Sequence, residues 1–377
     1  MNKRVFLDNA ATTPIAPEII ELISDMMKTH FANPSSIHSY GRESKIIVES
    51  ARKTIANLLN TSPGSIFFTS GGTEADNMAI KCAIHDHKIT HAITSKLSHH
   101  AVLYPLEDLA SEGKIKLSYI DVDENGTISL SHLEKLLKNN ERTFVSIMHA
   151  NNEIGTIQPL KEIGDICKEY NAIFHSDTVQ TMAHFPFDMQ ELNVDFMAAS
   201  AHKFHGPKGI GFVYISEDIQ INPLLRGGGQ ERNMRAGTEN IYGIAAMAKA
   251  MEMAYENLEE ETKYIKDLKK YMIEKLQSEI DDVQFYGKCT DLDNSLYTVL
   301  SCNFPENENS EMLMFNLDIK GVACSGGSAC SSGSSKGSHV LTAIVPDSMR
   351  PGVRFSFSKY NTKEDIDFAI EQLKELV

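Results

Sequence analysis

The chain has 377 residues, 42% of them hydrophobic, enough to bury a large core and to suggest one large and one smaller domain. A formal net charge of −15 argues against nucleic acid as a main partner, because a phosphate backbone is met by clustered Lys and Arg. No apolar run approaches the roughly 18 residues of a membrane span, and six cysteines at scattered positions (82, 167, 289, 302, 324 and 330) form no disulfide framework.

In chain order, Met1-Asn2-Lys3-Arg4 leads straight into a strand-like segment and lacks the apolar region of a signal peptide. With the unframed cysteines, this points to a reducing cytoplasm. Short β-rich runs then alternate with helical ones. Strands are expected over 66–70, 92–95, 116–122, 144–149, 172–176, 195–199 and 210–215, and helices over 74–85, 100–111, 131–138 and 159–170. Such alternation predicts an α/β domain whose mostly parallel seven-stranded sheet holds a ligand at its carboxyl ends. Residues 241–277 read as one long helix with Tyr264, Ile265, Leu268, Tyr271, Met272 and Leu276 on its apolar face. The remainder fits a smaller α+β domain, with a Thr362-x-x-Asp365 cap opening its last helix. Between 325 and 338, 11 of 14 residues are Gly or Ser, too many to pack, and Cys330 sits among them.

Three strand ends carry chemistry. After the run 66–70 comes Gly71-Gly72-Thr73-Glu74, where glycines admit an anion close to the backbone and a helix N-terminus offers free N–H groups. The P-loop pattern is absent. Phe174-His175-Ser176-Asp177 ends a second strand in an acid, the place of a helix cap or of a partner for a pyridine nitrogen. Ser200-Ala201-His202-Lys203 ends a third in an amine, 26 residues later, enough for one strand–helix–strand unit. A Schiff-base lysine paired with an Asp is the pattern of pyridoxal phosphate enzymes. No metal site is expected.

Together with Phe6-Leu7-Asp8-Asn9-Ala10-Ala11-Thr12-Thr13-Pro14, Asn33-Pro34-Ser35-Ser36-Ile37-His38, His149-Ala150-Asn151-Asn152-Glu153-Ile154-Gly155, Arg235-Ala236-Gly237-Thr238 and Gly327-Ser328-Ala329-Cys330, these motifs run in order over nearly the whole length. In them the chain resembles the pyridoxal-phosphate-dependent cysteine desulfurases of the NifS/IscS type, class V aminotransferases. The resemblance implies fold type I of the pyridoxal-phosphate-dependent transferases. It also implies a large cofactor-binding domain over 16–258 and a small domain over 1–15 and 259–377 that carries the Gly/Ser loop.

The resemblance further implies conversion of L-cysteine to L-alanine, with the sulfur held on Cys330 as a persulfide for iron–sulfur cluster or other thiocofactor synthesis. By matched motif, Lys203, Asp177, His99 and Cys330 would be catalytic. Gly72, Thr73, Asn152, Asp177, Gln180, Ser200, His202, Lys203 and Thr238 would hold the cofactor. Asn33, Asn152 and Arg354 would hold the substrate, Arg354 as a bidentate clamp on its carboxylate. Thr238 matches a threonine that reaches the phosphate of a neighbouring subunit, which implies a homodimer. A sulfur-acceptor or iron–sulfur scaffold protein is the further partner expected. The chain ends at Val377 without the longer tail that helps IscS-type relatives dock a scaffold, and Cys324 is either a small buried residue or a redox partner for Cys330. A selenocysteine lyase or another class V enzyme is the alternative, against which Cys330 on its long loop argues, since an aminotransferase needs no thiol.

Overall fold

The computed structural model describes residues 3–138, 142–308, 310–327, 338–346, 348 and 350–377, so Cys330 and the rest of 328–337 lie outside the described residues. A short strand, β1 (Val5–Phe6), is followed by α1 (Pro17–Thr29) and α2 (Ser39–Leu58). These two helices are not among the expected elements. The apolar positions of α2 are few and spaced for one narrow stripe, Val48, Ala51 and Ile55, which it buries.

The alternating part follows as β2 (Ile66–Thr69), α3 (Gly72–Asp86), β3 (His91–Thr94), α4 (His100–Ser111), β4 (Lys116–Tyr119), α5 (Leu130–Leu137), β5 (Thr143–Ser146), α6 (Leu160–Glu169), β6 (Ile173–Asp177), β7 (Phe196–Ser200) and β8 (Gly211–Ile215). Seven strands form one sheet in the order β2-β8-β7-β6-β5-β3-β4. Only β8 runs against its neighbours. The inner strands are apolar on both faces because helices cover both sides, and β7 is buried at all five positions. Strand ends fall short of expectation where the chain leaves the sheet for the ligand side. The run expected over 144–149 ends at Ser146, and Met148 already belongs to a cavity wall.

The expected long helix over 241–277 is two helices, α7 (Ile241–Glu256) and α8 (Leu258–Glu279). Asn257 breaks it, with φ −110° and ψ 11°, and its side-chain amide donates to the Met253 carbonyl at 2.9 Å. Glu259, Glu260 and Glu261 then favour a fresh helix start, where the dipole welcomes negative charge. Of the predicted apolar face, Ile265, Leu268, Met272 and Leu276 are buried. Tyr264 and Tyr271 sit at the rim instead, their hydroxyls donating to the Asn361 carbonyl and to Asp367, each at 2.7 Å.

The last part comprises β9 (Gln284–Phe285), β10 (Val299–Asn303), α9 (Leu313–Ile319), β11 (Val322–Ala323), α10 (His339–Ile344), β12 (Gly352–Ser356) and α11 (Lys363–Lys374). β10 pairs antiparallel with β9 and β12. β1 runs parallel to β11. α11 opens on the expected capping box, Thr362 with Asp365. One apolar cluster joins Val5 and Leu7 to Leu268, Met272, Leu300, Phe355 and Ile370, separate from the clusters on the two faces of the large sheet. Among the described residues, no helix is long and apolar enough to cross a membrane.

Candidate active site

A cavity of about 200 Å³ opens at the carboxyl ends of the parallel strands. The strand ends supply its walls in turn: β2 leads into Gly72 and Thr73, β6 ends in Asp177, and β7 ends in Ser200 and leads into His202 and Lys203. His99, Asn152, Gln180 and Arg354 complete the set. Ten of the thirteen expected site residues therefore share one cavity. Thr238 does not: it is exposed, beside a separate recess lined by Ser70, Arg235 and Asn240. Asn33 is also exposed and apart, its side-chain oxygen accepting the Ser35 N–H at 2.8 Å. Cys330 lies outside the described residues.

The corner expected to take an anion is the start of α3. Gly71 has φ +152°, a conformation open to glycine and few others, and no side chain caps the helix it precedes. A Cβ on Gly72 would meet Val179 Cγ2 at 2.6 Å. Both glycines thus keep the first-turn N–H groups bare toward the cavity, where they and the helix dipole suit an anion.

Asp177 is buried, and its Oδ1 accepts the Val179 N–H at 3.0 Å, so the local cap and the cavity role coexist in one residue. Burial pushes its carboxyl above the ordinary value, opposed by His99, the Val179 N–H and Lys203. A cationic ring nitrogen beside it would reverse that balance and fix the carboxylate. His99 is the N-cap of α4, its Nδ1 accepting the Ala101 N–H at 3.1 Å. Burial, then Lys203, His100 and His339, hold its pKa below the usual imidazole range despite Asp177. The neutral ring therefore carries its proton on Nε2. Lys203 Nζ donates to the carbonyls of Ala10 and Ala11 at 2.6 and 2.9 Å, and Gln180 Nε2 donates to Ala10 at 2.9 Å. His202 Nδ1 is 3.1 Å from Thr12 Oγ1, and burial pushes this ring down to about 4.

Arg354 is buried on β12. Its NH1 donates to the Asn152 carbonyl at 2.9 Å and its NH2 to Asp8 Oδ1 at 2.8 Å. Among the described residues its buried Nε has no hydrogen-bond partner, a donor left unsatisfied in a side chain that lines the cavity.

Sequence reasoning quoted the segment from Phe6 to Pro14 but gave its residues no role. Ala10 and Ala11 hold the amine through main-chain carbonyls, which no side-chain pattern announces. It also passed over Asp76, which is buried in the same cavity wall with Oδ1 3.2 Å from His175 Nε2. Glu153 was overlooked too. It is 2% exposed, it accepts the Ser338 hydroxyl proton, and a Cβ on Gly327 would lie 3.2 Å from its Oε2. Gly327 and Ser338, the described residues on either side of 328–337, thus both lie close to one carboxylate. Among the described residues, no group of three or more His, Cys, Asp or Glu is placed to hold a metal ion.

An amine, a buried acid and a bare helix N-terminus match the three handles of pyridoxal phosphate: its aldehyde, its ring nitrogen and its phosphate. The residues present fit the group. The Aminotransferase class-V family profile matches residues 5–368. A curated relative from Dictyoglomus turgidum, cysteine desulfurase IscS, is 44% identical over 381 aligned positions, covering 100% of this chain and 95% of the relative. The solved structure of a NifS-like protein superposes with a TM-score of 0.91 at 36% identity, covering 99% of both chains. That of SspA in complex with cysteine gives 0.80 at 31%, covering 95% of this chain and 100% of the other. By fold, site and sequence, the chain belongs to the aminotransferase class-V family of pyridoxal-phosphate-dependent enzymes.

Proposed function

We propose that this cavity desulfurates L-cysteine through the residues assigned below. The enzyme is a pyridoxal-phosphate-dependent cysteine desulfurase that yields L-alanine and serves iron–sulfur cluster synthesis. One observation carries the residue assignment: Lys203, Asp177 and Arg354 line the same cavity.

Gly72, Thr73, Ser200 and His202 would hold the phosphate, Asp177 would keep the ring nitrogen protonated, Lys203 would hold the aldehyde carbon, and Asn152 and Gln180 would hydrogen-bond the cofactor or the substrate. Once bound, the cofactor supplies an electron sink for charge that develops at the substrate Cα. Arg354 binds the substrate carboxylate, which orients Cα toward Lys203. Lys203 Nζ, freed once the substrate amine has taken its place, takes the Cα proton and returns one at the end of the reaction. His99, with its proton on Nε2, donates within the same pocket. The Cys330 thiolate forms a bond to the substrate sulfur as the Cβ–S bond breaks, Cβ takes a proton, and L-alanine leaves a persulfide behind.

We infer a homodimer in which Thr238 completes the partner's phosphate cup; the exposure of Thr238 outside its own cavity supports this. The separate apolar cluster around Val5, Leu268 and Phe355 supports a small domain of 1–15 and 259–377 beside a large one of 16–258. The further proposals are Asn33 assisting at the substrate, a sulfur-acceptor or scaffold protein as recipient, and the cytoplasm as location.

The test is a mass measurement after brief exposure to L-cysteine. Wild-type protein should carry one extra sulfur on Cys330, and Cys330→Ser should keep cofactor while losing sulfide and alanine production. Sulfur on Cys324, or an undiminished rate in Cys330→Ser, would overturn the assignment.

A further inference from the structure

The carboxylate seat is built from more than the arginine. Asp8, just after β1, pairs with it. Asp8 Oδ1 accepts two hydrogen bonds, from Arg354 NH2 at 2.8 Å and from the Ser325 hydroxyl at 2.8 Å. Ser325 is where the Gly/Ser-rich stretch begins. The same two residues are also joined along the backbone. Arg354 N–H donates to the Ser325 carbonyl at 2.6 Å, and Ser325 N–H returns a bond to the Arg354 carbonyl at 3.2 Å. Asp8 itself bridges to Ser356 on β12, two residues along from Arg354. The Asp8 carboxylate therefore ties the guanidinium to the segment after β1 and to the root of the stretch bearing Cys330, while backbone contacts hold Asp8 and Ser325 against β12.

The guanidinium is fixed at both ends of its fork: NH1 is held by Asn152 and NH2 by Asp8, while among the described residues the buried Nε has no partner. A guanidinium held only at NH1 could swing on its stem, losing the alignment that makes a planar fork effective against a carboxylate. A charged acceptor at NH2 removes that freedom before any substrate arrives, so less ordering remains to be done on binding. Asp8 is 19% exposed at its side chain, whereas Arg354 is 2% exposed. The pair thus sits where the charge of the arginine is needed inward and its neutralising acid lies outward.

We propose that Asp8 is a positioning residue that aims Arg354 at the substrate carboxylate and fastens it to Ser325 at the root of the Cys330-bearing stretch. This rests on the reading that Arg354 seats the carboxylate. Asp8 touches neither substrate nor cofactor. Its effect falls on affinity for carboxylate-bearing ligands and not on ligands that share only the amine.

The experiment compares two ligands of the cofactor-loaded enzyme by the visible absorbance change each produces. L-Alanine carries an amine and a carboxylate; cysteamine carries an amine and a thiol but no carboxylate. Asp8→Asn should weaken L-alanine roughly tenfold, the order expected for a lost charge-assisted hydrogen bond, with cysteamine affinity unchanged. With L-cysteine, KM should rise by a similar factor at nearly constant kcat. Arg354→Gln tests the underlying reading separately and should weaken L-alanine more than Asp8→Asn does. If Arg354→Gln leaves L-alanine binding intact, the carboxylate seat is elsewhere and both ideas fall. If Arg354→Gln weakens L-alanine but Asp8→Asn weakens neither ligand, or both equally, only the positioning role is overturned. Should Asp8→Asn fold poorly, Ser325→Ala removes the hydroxyl that fixes the carboxylate from its other side. It should lower the alanine-to-cysteamine affinity ratio by about threefold, and an unchanged ratio there overturns the proposal.

Discussion

Replacing Glu231 by Gln should loosen the segment that carries Thr238 and cost the fold several kcal/mol. Glu231 lies 5% exposed, its Oε1 2.8 Å from Arg52 NH2 and its Oε2 2.8 Å from Arg52 NH1 and 2.9 Å from the Phe68 N–H. Arg52 is 1% exposed and stacks over the Phe68 ring at 4.6 Å. Among the described residues the other acid paired with it, Glu49 at 3.4 Å, is 45% exposed and screened by solvent. Glu231→Gln keeps the shape and removes the counter-charge, and an uncompensated buried ion costs roughly 3–5 kcal/mol. Glu231, Arg232 and Asn233 are all left-handed, at φ 44°, 56° and 65°. Local loosening of this strained stretch relieves part of that cost. The lower end, about 3 kcal/mol, is therefore the expected loss. For a body of 150–250 residues that is a Tm drop of roughly 6–12 °C. Calorimetry and urea titration of the loaded enzyme measure it. Cofactor retention should fall as well, because Thr238 loses its mooring. Arg52→Met with Glu231→Leu should recover most of the stability, since an apolar pair of similar volume leaves no charge stranded. A loss below about 1 kcal/mol in Glu231→Gln would refute the claim that this ion pair holds the segment.

Lys203→Ala should abolish covalent attachment of the cofactor, and borohydride reduction of the wild type followed by peptide mapping should place the label on Lys203. A label on another lysine sinks that assignment. Asp195 offers a pH test. Burial raises its carboxyl to about 6, against the Phe174 N–H that favours the ion. A raised folded-state value means its stabilising contribution is complete below the unfolded value near 3.9 and is lost as pH rises through about 6. Asp195→Asn has no charge to bury, so its urea midpoint should gain on that of the wild type between pH 4 and 7. Parallel pH profiles would show that this carboxyl is not displaced.

Much of the large sheet was legible because each inner strand is a short apolar run ended by a turn signal, as Phe196–Ser200 shows. The cavity was legible wherever a side chain does the work: Lys203, Asp177 and Arg354 sit in it together. What stayed hidden are contacts made by main chain or by distant pairing. Nothing in the alanines at 10 and 11 signals that their carbonyls hold an amine 193 and 192 residues away. Nothing in Asp8 signals an arginine 346 residues on. The break at Asn257 was missed because apolar spacing continues on both sides of it, so periodicity alone could not see one polar residue capping the helix behind it.

The bare start of α3 has a consequence for how this protein can change over time. Its donors are peptide N–H groups, which every residue except proline carries. Drift in the side chains that follow, from Glu74 onward, can retune the charge and packing of the helix without erasing the anion seat. The vulnerable letters are few: any side chain at Gly71 strains the backbone at φ +152°, and any at Gly72 strikes Val179. Tolerance along the helix and intolerance at two glycines are what a library of substitutions across 71–80 should reveal.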